Sequence, residues 1–164
     1  LPRSSMGQWS PPPGRPDPVD LLVTQGSNRV ASLVPIRHGR MSASAFAFYR
    51  GSAVVMAADL ASQPNTGLEV QLCGDAHIVN FGLFASPERT LLFDLNDFDE
   101  TLPGPWEWDV KRLAASFSIA ARHNGYGADD ELDLPRRATQ AYREAMLRSG
   151  FVSDYRGLAA EAFA

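Results

Sequence analysis

Cysteine and lysine are almost absent from this sequence of 164 residues. Cys73 is the one cysteine, so the chain cannot form an internal disulfide or a metal site built from several thiolates, and we expect a reducing, cytoplasmic setting. Lys111 is the one lysine, because fourteen of the fifteen basic residues are arginine. Any chemistry that requires a lysine therefore has a single candidate in this chain.

The sequence also lacks long apolar runs and any concentration of basic residues. No uninterrupted apolar stretch approaches the roughly 20 residues that a membrane-spanning helix requires. The net charge is −4 and the arginines are spread along the chain, which argues against nucleic acid and anionic membranes as partners. The apolar fraction of 45% is instead typical of a globular domain that buries a core.

Proline is concentrated at the start of the chain. The run Ser10-Pro11-Pro12-Pro13-Gly14-Arg15-Pro16-Asp17-Pro18 has neither helical nor strand periodicity, so we predict an extended or disordered leader over residues 1–20. Residues 19–34 form a mixed segment. Residues 35–41 are predicted to be a basic loop, and Ser42 or Ser44 is placed to cap the helix that follows.

The spacing of apolar residues predicts three helices. In residues 45–62 apolar side chains recur every three or four positions, with an interruption at Gly51. Residues 106–123 repeat the pattern before Asn124 and Gly125. A last helix is predicted over residues 134–148.

Two short strands are predicted between these helices. Residues 68–73 alternate between apolar and polar side chains, which predicts a half-buried strand, and a second strand covers residues 90–95. The run Pro103-Gly104-Pro105 is interpreted as a turn. Helices and strands in one chain predict an α+β fold.

A loop that carries acidic side chains follows each predicted strand. Asp75 and Asn80 stand five positions apart in the first loop, and Asp97 follows the second strand. Carboxylates at the ends of adjacent strands converge on one point, which is the usual geometry for a hard divalent cation. Mg²⁺ is the natural candidate, because it takes few protein oxygens and fills its shell with water and phosphate.

Three motifs in this region resemble a known superfamily. Gly74-Asp75-Ala76-His77-Ile78-Val79-Asn80 resembles the catalytic loop of aminoglycoside- and choline-kinase-type small-molecule kinases, and Asp97-Phe98-Asp99 resembles their metal-binding aspartate motif. Residues 108–114 resemble the helix start where these kinases place an aspartate that braces the catalytic loop. Residues 37–122 are similar to the bacterial family called domain of unknown function 2252.

The resemblance implies an incomplete protein-kinase-like catalytic lobe over residues 35–164, a fragment of a longer domain. Its helices would pack around a small strand pair that bears the catalytic and metal loops. The resemblance implies ATP as the phosphate donor and Mg²⁺ as the cofactor, and it leaves the identity of the acceptor open. In this scheme Asp75 is the catalytic base or the carboxylate that orients the acceptor, and Asn80 and Asp97 are the Mg²⁺ ligands.

Four further residues receive supporting or structural roles. Asp109 is the brace that the resemblance implies, while Asp99 and His77 are placed around the metal and the base. Arg50 has two readings from its sequence context, a bridge to a loop carboxylate or phosphate and a solvated or ion-paired side chain.

The sequence departs from the kinase pattern at three points. Cys73 stands where many kinases have histidine, and Asp99 replaces the glycine of the usual metal motif. No glycine-rich nucleotide loop with a following strand lysine precedes Asp75, and Lys111 belongs to the bracing helix. We therefore expect the fragment alone to be inactive.

The residues leave three functions open. The preferred one is a phosphotransferase that moves a phosphoryl or nucleotidyl group. The alternatives are a metal-dependent hydrolase that uses the same carboxylates and a pseudokinase-like binding module without catalysis. The oligomeric state is also left open.

Overall fold

The computed structural model describes Gly7 and residues 9–148. Over these residues the chain combines helices with two small antiparallel sheets, which confirms the predicted α+β class. No helix in this part of the chain is long and apolar enough to cross a membrane. Residues 1–6 and 8 of the predicted leader (residues 1–20) lie outside the described residues. So do residues 149–164, the end of the predicted catalytic domain (residues 35–164).

The first helices form where the sequence predicted irregular structure. Helix α1 covers Pro18–Gly26, a 3₁₀ turn covers Ala31–Leu33, and helix α2 covers Val34–Met41. The predicted basic loop over residues 35–41 is therefore wrong. Pro35 lies in the first turn of α2, where its missing amide hydrogen leaves no helical hydrogen bond unmade.

The predicted interruption at Gly51 divides the next helix in two. Helix α3 covers Ala45–Gly51 and helix α4 covers Ala53–Ala61. Ser44 caps α3, because its side chain accepts a hydrogen bond from the amide of Ala47 at 3.0 Å. A β-carbon at Gly51 would lie 2.6 Å from Cγ of Met41, so glycine permits the close approach of α2 and α3.

Both predicted strands form, but they do not pair with each other. Strand β1 covers Glu69–Leu72, β2 covers Phe81–Ala85, β3 covers Leu91–Leu95 and β4 covers Leu102–Pro105. β1 pairs with β4 and β2 pairs with β3, both antiparallel. The small strand pair that the resemblance implied is therefore replaced by two separate two-stranded antiparallel sheets.

The predicted turn at Pro103-Gly104-Pro105 is wrong, because these residues lie in β4. Gln71 of β1 is opposite Pro103, and Glu69 is opposite Pro105. In a two-stranded sheet every strand is an edge strand. Proline lacks a backbone N–H, and an edge strand tolerates it because the residues whose N–H groups point away from the partner strand donate no hydrogen bond within the sheet.

Two long helices complete the described chain. Helix α5 covers Glu107–His123, which confirms the prediction, and helix α6 covers Ala128–Arg148, six residues longer at its start than predicted. Pro135 lies inside α6 and cannot donate to the carbonyl of Glu131. That carbonyl instead accepts a hydrogen bond from the hydroxyl of Ser118 in α5 at 2.6 Å, which stabilises the proline within the helix.

Three of the four buried residues of α5 are polar. The apolar core cluster of Leu22, Met41 and Val55 lies between α1, α2 and α4. On α5 the buried residues include Glu107, Arg112 and Ser116. Since buried polar groups need partners, this side of the helix is suited to hold loops rather than to pack against apolar side chains.

Candidate functional site

The loop after β1 begins with a backbone geometry that requires glycine. Gly74 has φ +88°, and a β-carbon at this position would lie 2.0 Å from the carbonyl oxygen of Glu100. The first loop therefore passes directly against the segment that follows β3. Glycine is needed here both for the left-handed backbone and for this close approach.

Asp109, at the start of α5, holds the same part of the loop. Its carboxylate accepts hydrogen bonds from the amides of Cys73 at 2.8 Å and Gly74 at 3.2 Å. The Cys73 thiol lies 3.4 Å from the same carboxylate, and burial raises the pKa of Cys73 to about 12. Cys73 is thus protonated and unreactive, while Asp109 fixes the backbone that leads to Asp75.

Asp75 forms an ion pair that the sequence did not reveal. Nε of Arg112 donates to Oδ1 of Asp75 at 2.8 Å, and Arg112 is only 3% exposed. Nη2 of Arg112 donates to the carbonyl of Tyr49 at 2.5 Å, and the guanidinium lies 3.9 Å from the centre of the Tyr49 ring. The carboxylate of Asp75 is therefore oriented by a buried cation that is itself held by α3.

Tyr49 completes this arrangement from the other side. Its hydroxyl donates to the backbone carbonyl of Arg112 at 2.7 Å, and burial raises the pKa of Tyr49 to about 12. Tyr49 is consequently protonated near neutral pH and acts as a donor. The Asp75, Arg112 and Tyr49 side chains join α3, α5 and the first loop into one unit.

His77 lies beside Asp75 but is not bonded to it. Its Nε2 is 3.7 Å from Oδ2 of Asp75, which exceeds a hydrogen-bond distance, and its buried Nδ1 has no partner among the described residues. Burial lowers the pKa of His77 below its ordinary value of 6.5, although the Asp75 carboxylate opposes this change. His77 is therefore neutral near pH 7.

Asn80 links the two loops. Its side-chain Nδ2 donates to the backbone carbonyl of Asp75 at 2.8 Å. The backbone carbonyl of Asn80 accepts from the backbone amide of Asn96 at 2.9 Å. The first contact uses the amide nitrogen, so Oδ1 remains as the acceptor of this buried side chain. The amide of Ile78 donates to the hydroxyl of Ser116 at 3.0 Å and ties the same turn to α5.

Asp97 begins the second loop. Its Oδ1 accepts from the amide of Asp99 at 3.2 Å, a local turn in which an aspartate binds the backbone two residues later. Asp97 lines the cleft described next, whereas Asp99 and Asp109 do not belong to its lining among the described residues.

One open cleft brings most of the predicted site residues together. It has a volume of about 920 Å³, and Asp75, His77, Asn80 and Asp97 line one side. The lining also contains four arginines, Arg29 before the 3₁₀ turn, Arg37 and Arg40 in α2, and Arg50 in α3. Of these, only Arg50 was a predicted site residue. We call these four residues the arginine wall.

The cleft contains oxygen donors of the kind that bind Mg²⁺ in proteins. Among the described residues no group of three His, Cys, Asp or Glu side chains is placed to hold a metal ion. Mg²⁺ is bound in many sites by one or two carboxylates together with water and phosphate. Asp97 and the Oδ1 of Asn80 meet that smaller requirement.

Comparison with known proteins gave one match. The sequence model of a family described as an uncharacterized protein conserved in bacteria (DUF2252) matches residues 29–156. Searches among curated proteins and among solved structures found no match.

Proposed function

The chain belongs to the bacterial family called domain of unknown function 2252, and on that premise we propose that it carries the catalytic lobe of a metal-dependent phosphotransferase. The donor is a nucleoside triphosphate such as ATP, and the acceptor carries a hydroxyl group. The observation that carries the proposal is that Asp75, Asn80 and Asp97 share one cleft with the arginine wall. Oxygen ligands for a cation and guanidinium partners for phosphate are the two requirements of phosphoryl transfer.

A kinase-like arrangement of the two loops is part of the same proposal. The first loop carries Asp75 and Asn80 and the second carries Asp97, in the order that the small-molecule kinases use. The first loop leads into β2 and the second follows β3, so the antiparallel pairing of Phe81 with Leu95 places the two loops side by side. The hydrogen bond from the amide of Asn96 to the backbone carbonyl of Asn80 extends this pairing into the loops. The pairing of β2 with β3, which places the end of the first loop beside the start of the second, supports this part of the proposal.

Asp75 would orient the acceptor hydroxyl and take its proton. Arg112 binds Oδ1, so Oδ2 is the oxygen that remains for the acceptor. The acceptor oxygen forms a bond to the γ-phosphorus, the bond from that phosphorus to the bridging oxygen breaks, and the nucleoside diphosphate leaves. The proton of the hydroxyl moves to Asp75.

Asn80 and Asp97 would hold the metal ion. The hydrogen bond from Nδ2 of Asn80 to the carbonyl of Asp75 leaves Oδ1 as the atom of this side chain that would bind the metal ion. The local turn at Asp97 holds the backbone that carries the Asp97 carboxylate. Bound Mg²⁺ would neutralise charge that builds on the phosphate oxygens during transfer.

A binding module without catalysis is the second candidate, and one observation favours it. The carboxylate of Asp75 is already paired with the buried Arg112, which would compete with an acceptor hydroxyl for this side chain. In that case the cleft would bind a nucleotide and a metal ion without catalysing transfer from the nucleotide. Nucleotide binding without turnover distinguishes this candidate from the phosphotransferase.

The test is ATP turnover by the full-length protein, followed by ³¹P NMR in Mg²⁺ and in EDTA. Asp97→Asn is compared with Asp94→Asn, an exposed aspartate whose carboxylate contacts only its neighbouring amide of Leu95 among the described residues. We expect Mg²⁺-dependent turnover that Asp97→Asn lowers by a factor of about 100 or more and Asp94→Asn leaves unchanged. Release of nucleoside diphosphate would identify phosphoryl transfer, and release of diphosphate would identify nucleotidyl transfer. Equal loss in both variants, or turnover in EDTA, would contradict the proposed metal site.

A further inference from the structure

The cleft contains cations that the proposed chemistry of Asp75 and Asp97 does not use. The four arginines of the arginine wall line the same cleft as two aspartates and His77. Burial keeps the pKa of His77 below its ordinary value, so the histidine adds no positive charge near neutral pH. Excess positive charge in a concave site attracts anionic ligands.

Arg37 is the most constrained member of the wall. Its Nη2 donates to the carbonyl of Gly51 at 2.5 Å and to Oε1 of Gln25 at 3.3 Å, which fixes the guanidinium in the cleft lining. Its Nη1 is buried and has no hydrogen-bond partner among the described residues. A buried, unpaired donor on a cation is costly, and an anion in the cleft would supply the missing partner.

Arg40 and Arg50 are not committed to protein carboxylates. Neither has an ion-pair or hydrogen-bond partner within the part of the chain that the structure describes. Arg29 does have one, since its Nη2 lies 3.3 Å from Oε1 of Glu100, but both side chains are about two-fifths exposed and such a pair is weak. The wall therefore has guanidinium groups free to bind a ligand.

The lone lysine does not compete for this role. Nζ of Lys111 donates to Oε1 of Gln63 at 2.7 Å, and Lys111 does not line the cleft. Over the described residues, the cations of the cleft are thus arginines only. A guanidinium binds two phosphate oxygens at once through parallel donors, which suits it to a chain of phosphate groups.

We propose that the arginine wall binds the phosphate groups of a polyphosphate-bearing ligand. The inference deepens the proposed function, because it assigns the side of the cleft that would hold the donor phosphates. It also stands apart from catalysis, since anion binding requires neither Asp75 nor the metal ion. A cleft of about 920 Å³ is large enough for a ligand of nucleotide size.

The test measures the binding of inorganic triphosphate by calorimetry, without divalent metal, to the full-length protein. Arg40→Gln and Arg50→Gln remove cations that have no protein partner, so these variants are expected to fold. Arg143→Gln is the matched control, because Arg143 is an exposed arginine of α6 outside the cleft. Arg37→Gln is added with circular dichroism as a check on folding, because Arg37 also supports the carbonyl of Gly51.

We expect each of Arg40→Gln and Arg50→Gln to weaken triphosphate binding by a factor of about 10 or more, since each removes a charge-assisted contact. Arg143→Gln should change the affinity by less than about twofold. Absence of triphosphate binding in the wild-type protein, or an equal effect of all these substitutions, would overturn the inference.

Two further arms separate this inference from the proposed function and identify the source of the phosphates. Asp97→Asn should retain triphosphate binding even where it abolishes turnover; loss of binding in this variant would contradict an anion site that is independent of the metal. Displacement of triphosphate by ATP would assign the wall to the donor nucleotide. Simultaneous binding of both would support an anion site but overturn its assignment to the donor phosphates, and would point to a phosphorylated acceptor instead.

Discussion

Arg112 and Asp75 form a nearly buried ion pair that connects α5 to the loop after β1. The distance from Nε to Oδ1 is 2.8 Å, and the side chains are 3% and 16% exposed. The two residues lie 37 positions apart in the chain, yet the pair sets the orientation of the candidate catalytic carboxylate. Tyr49 supports the cation through its carbonyl and its ring.

Replacing Arg112 should cost far more stability than replacing an arginine in a surface pair. Arg112→Gln leaves the Asp75 carboxylate without its cation, and we expect a loss of about 3 kcal/mol in the free energy of unfolding. Arg137→Gln breaks the exposed pair with Asp133 and should cost about 0.5 kcal/mol or less. Urea denaturation measures both, and equal losses would show that the Asp75 pair contributes no more than a surface pair.

Gly74 and Gly67 provide a comparison of backbone strain with steric overlap. Both have a positive φ, +88° and +77°, but a β-carbon meets the carbonyl of Glu100 at Gly74 and open space at Gly67. Gly67→Ala should cost about 1 kcal/mol for the left-handed backbone alone. Gly74→Ala should cost at least about 3 kcal/mol more, because Glu100 must move. Chemical denaturation of the two variants tests this, and similar losses would contradict the close approach of the loops.

Asp109→Asn should weaken the hold on the first loop. The carboxylate accepts from two backbone amides, whereas an asparagine offers one oxygen and turns a donor toward the second amide. We expect a loss of about 1–3 kcal/mol in unfolding free energy, together with faster amide hydrogen exchange at Cys73 and Gly74. Glu69→Gln is the control, since Glu69 is an exposed residue of β1, and it should leave both quantities unchanged.

His77 should make stability depend on pH below neutrality. Burial lowers its pKa in the folded protein below the value of 6.5 expected for the unfolded chain. The unfolded state therefore binds more protons as the pH falls, so this contribution to stability is complete above pH 6.5 and is lost as the pH falls toward the lowered pKa. The carboxylate of Asp75 opposes the shift, while Arg50 and Arg112 reinforce it.

The measurement is the unfolding free energy of the wild-type protein and His77→Gln between pH 7.5 and about pH 5. The wild type should lose stability over this range more steeply than the variant. A steeper loss in His77→Gln would mean that the protonated imidazole is stabilised in the folded protein, by Asp75, rather than disfavoured by burial.

Local patterns in the sequence were sufficient to predict much of the chain. Helix α5 was predicted within one residue because its apolar positions recur regularly, and β1 and β3 follow from alternation and β-branched or large apolar residues. The chain order of Asp75, Asn80 and Asp97 also directed attention to the loops that line the cleft.

Contacts between residues that are distant in the sequence account for most of the features that the sequence did not predict. The prediction of a basic loop over residues 35–41 missed α2, and with it the helical setting of two members of the arginine wall, Arg37 and Arg40. The start of α6 was missed because Pro135 is accommodated by the hydroxyl of Ser118 on another helix. No local pattern could have shown that Arg112 pairs with Asp75, although an arginine on the buried side of a regular helix is a reason to search for a partner.

The most direct test of the proposed phosphotransferase compares Asp75→Asn with the wild-type full-length protein in two assays, Mg²⁺-dependent ATP turnover and MgATP binding, after circular dichroism has established that the variant is folded. A base that takes the acceptor proton should be needed for the reaction and not for binding. We therefore expect kcat to fall by a factor of about 100 or more while the Kd for MgATP changes by less than about threefold. Undiminished turnover in the variant, or MgATP binding without turnover in the wild type, would contradict catalysis by Asp75.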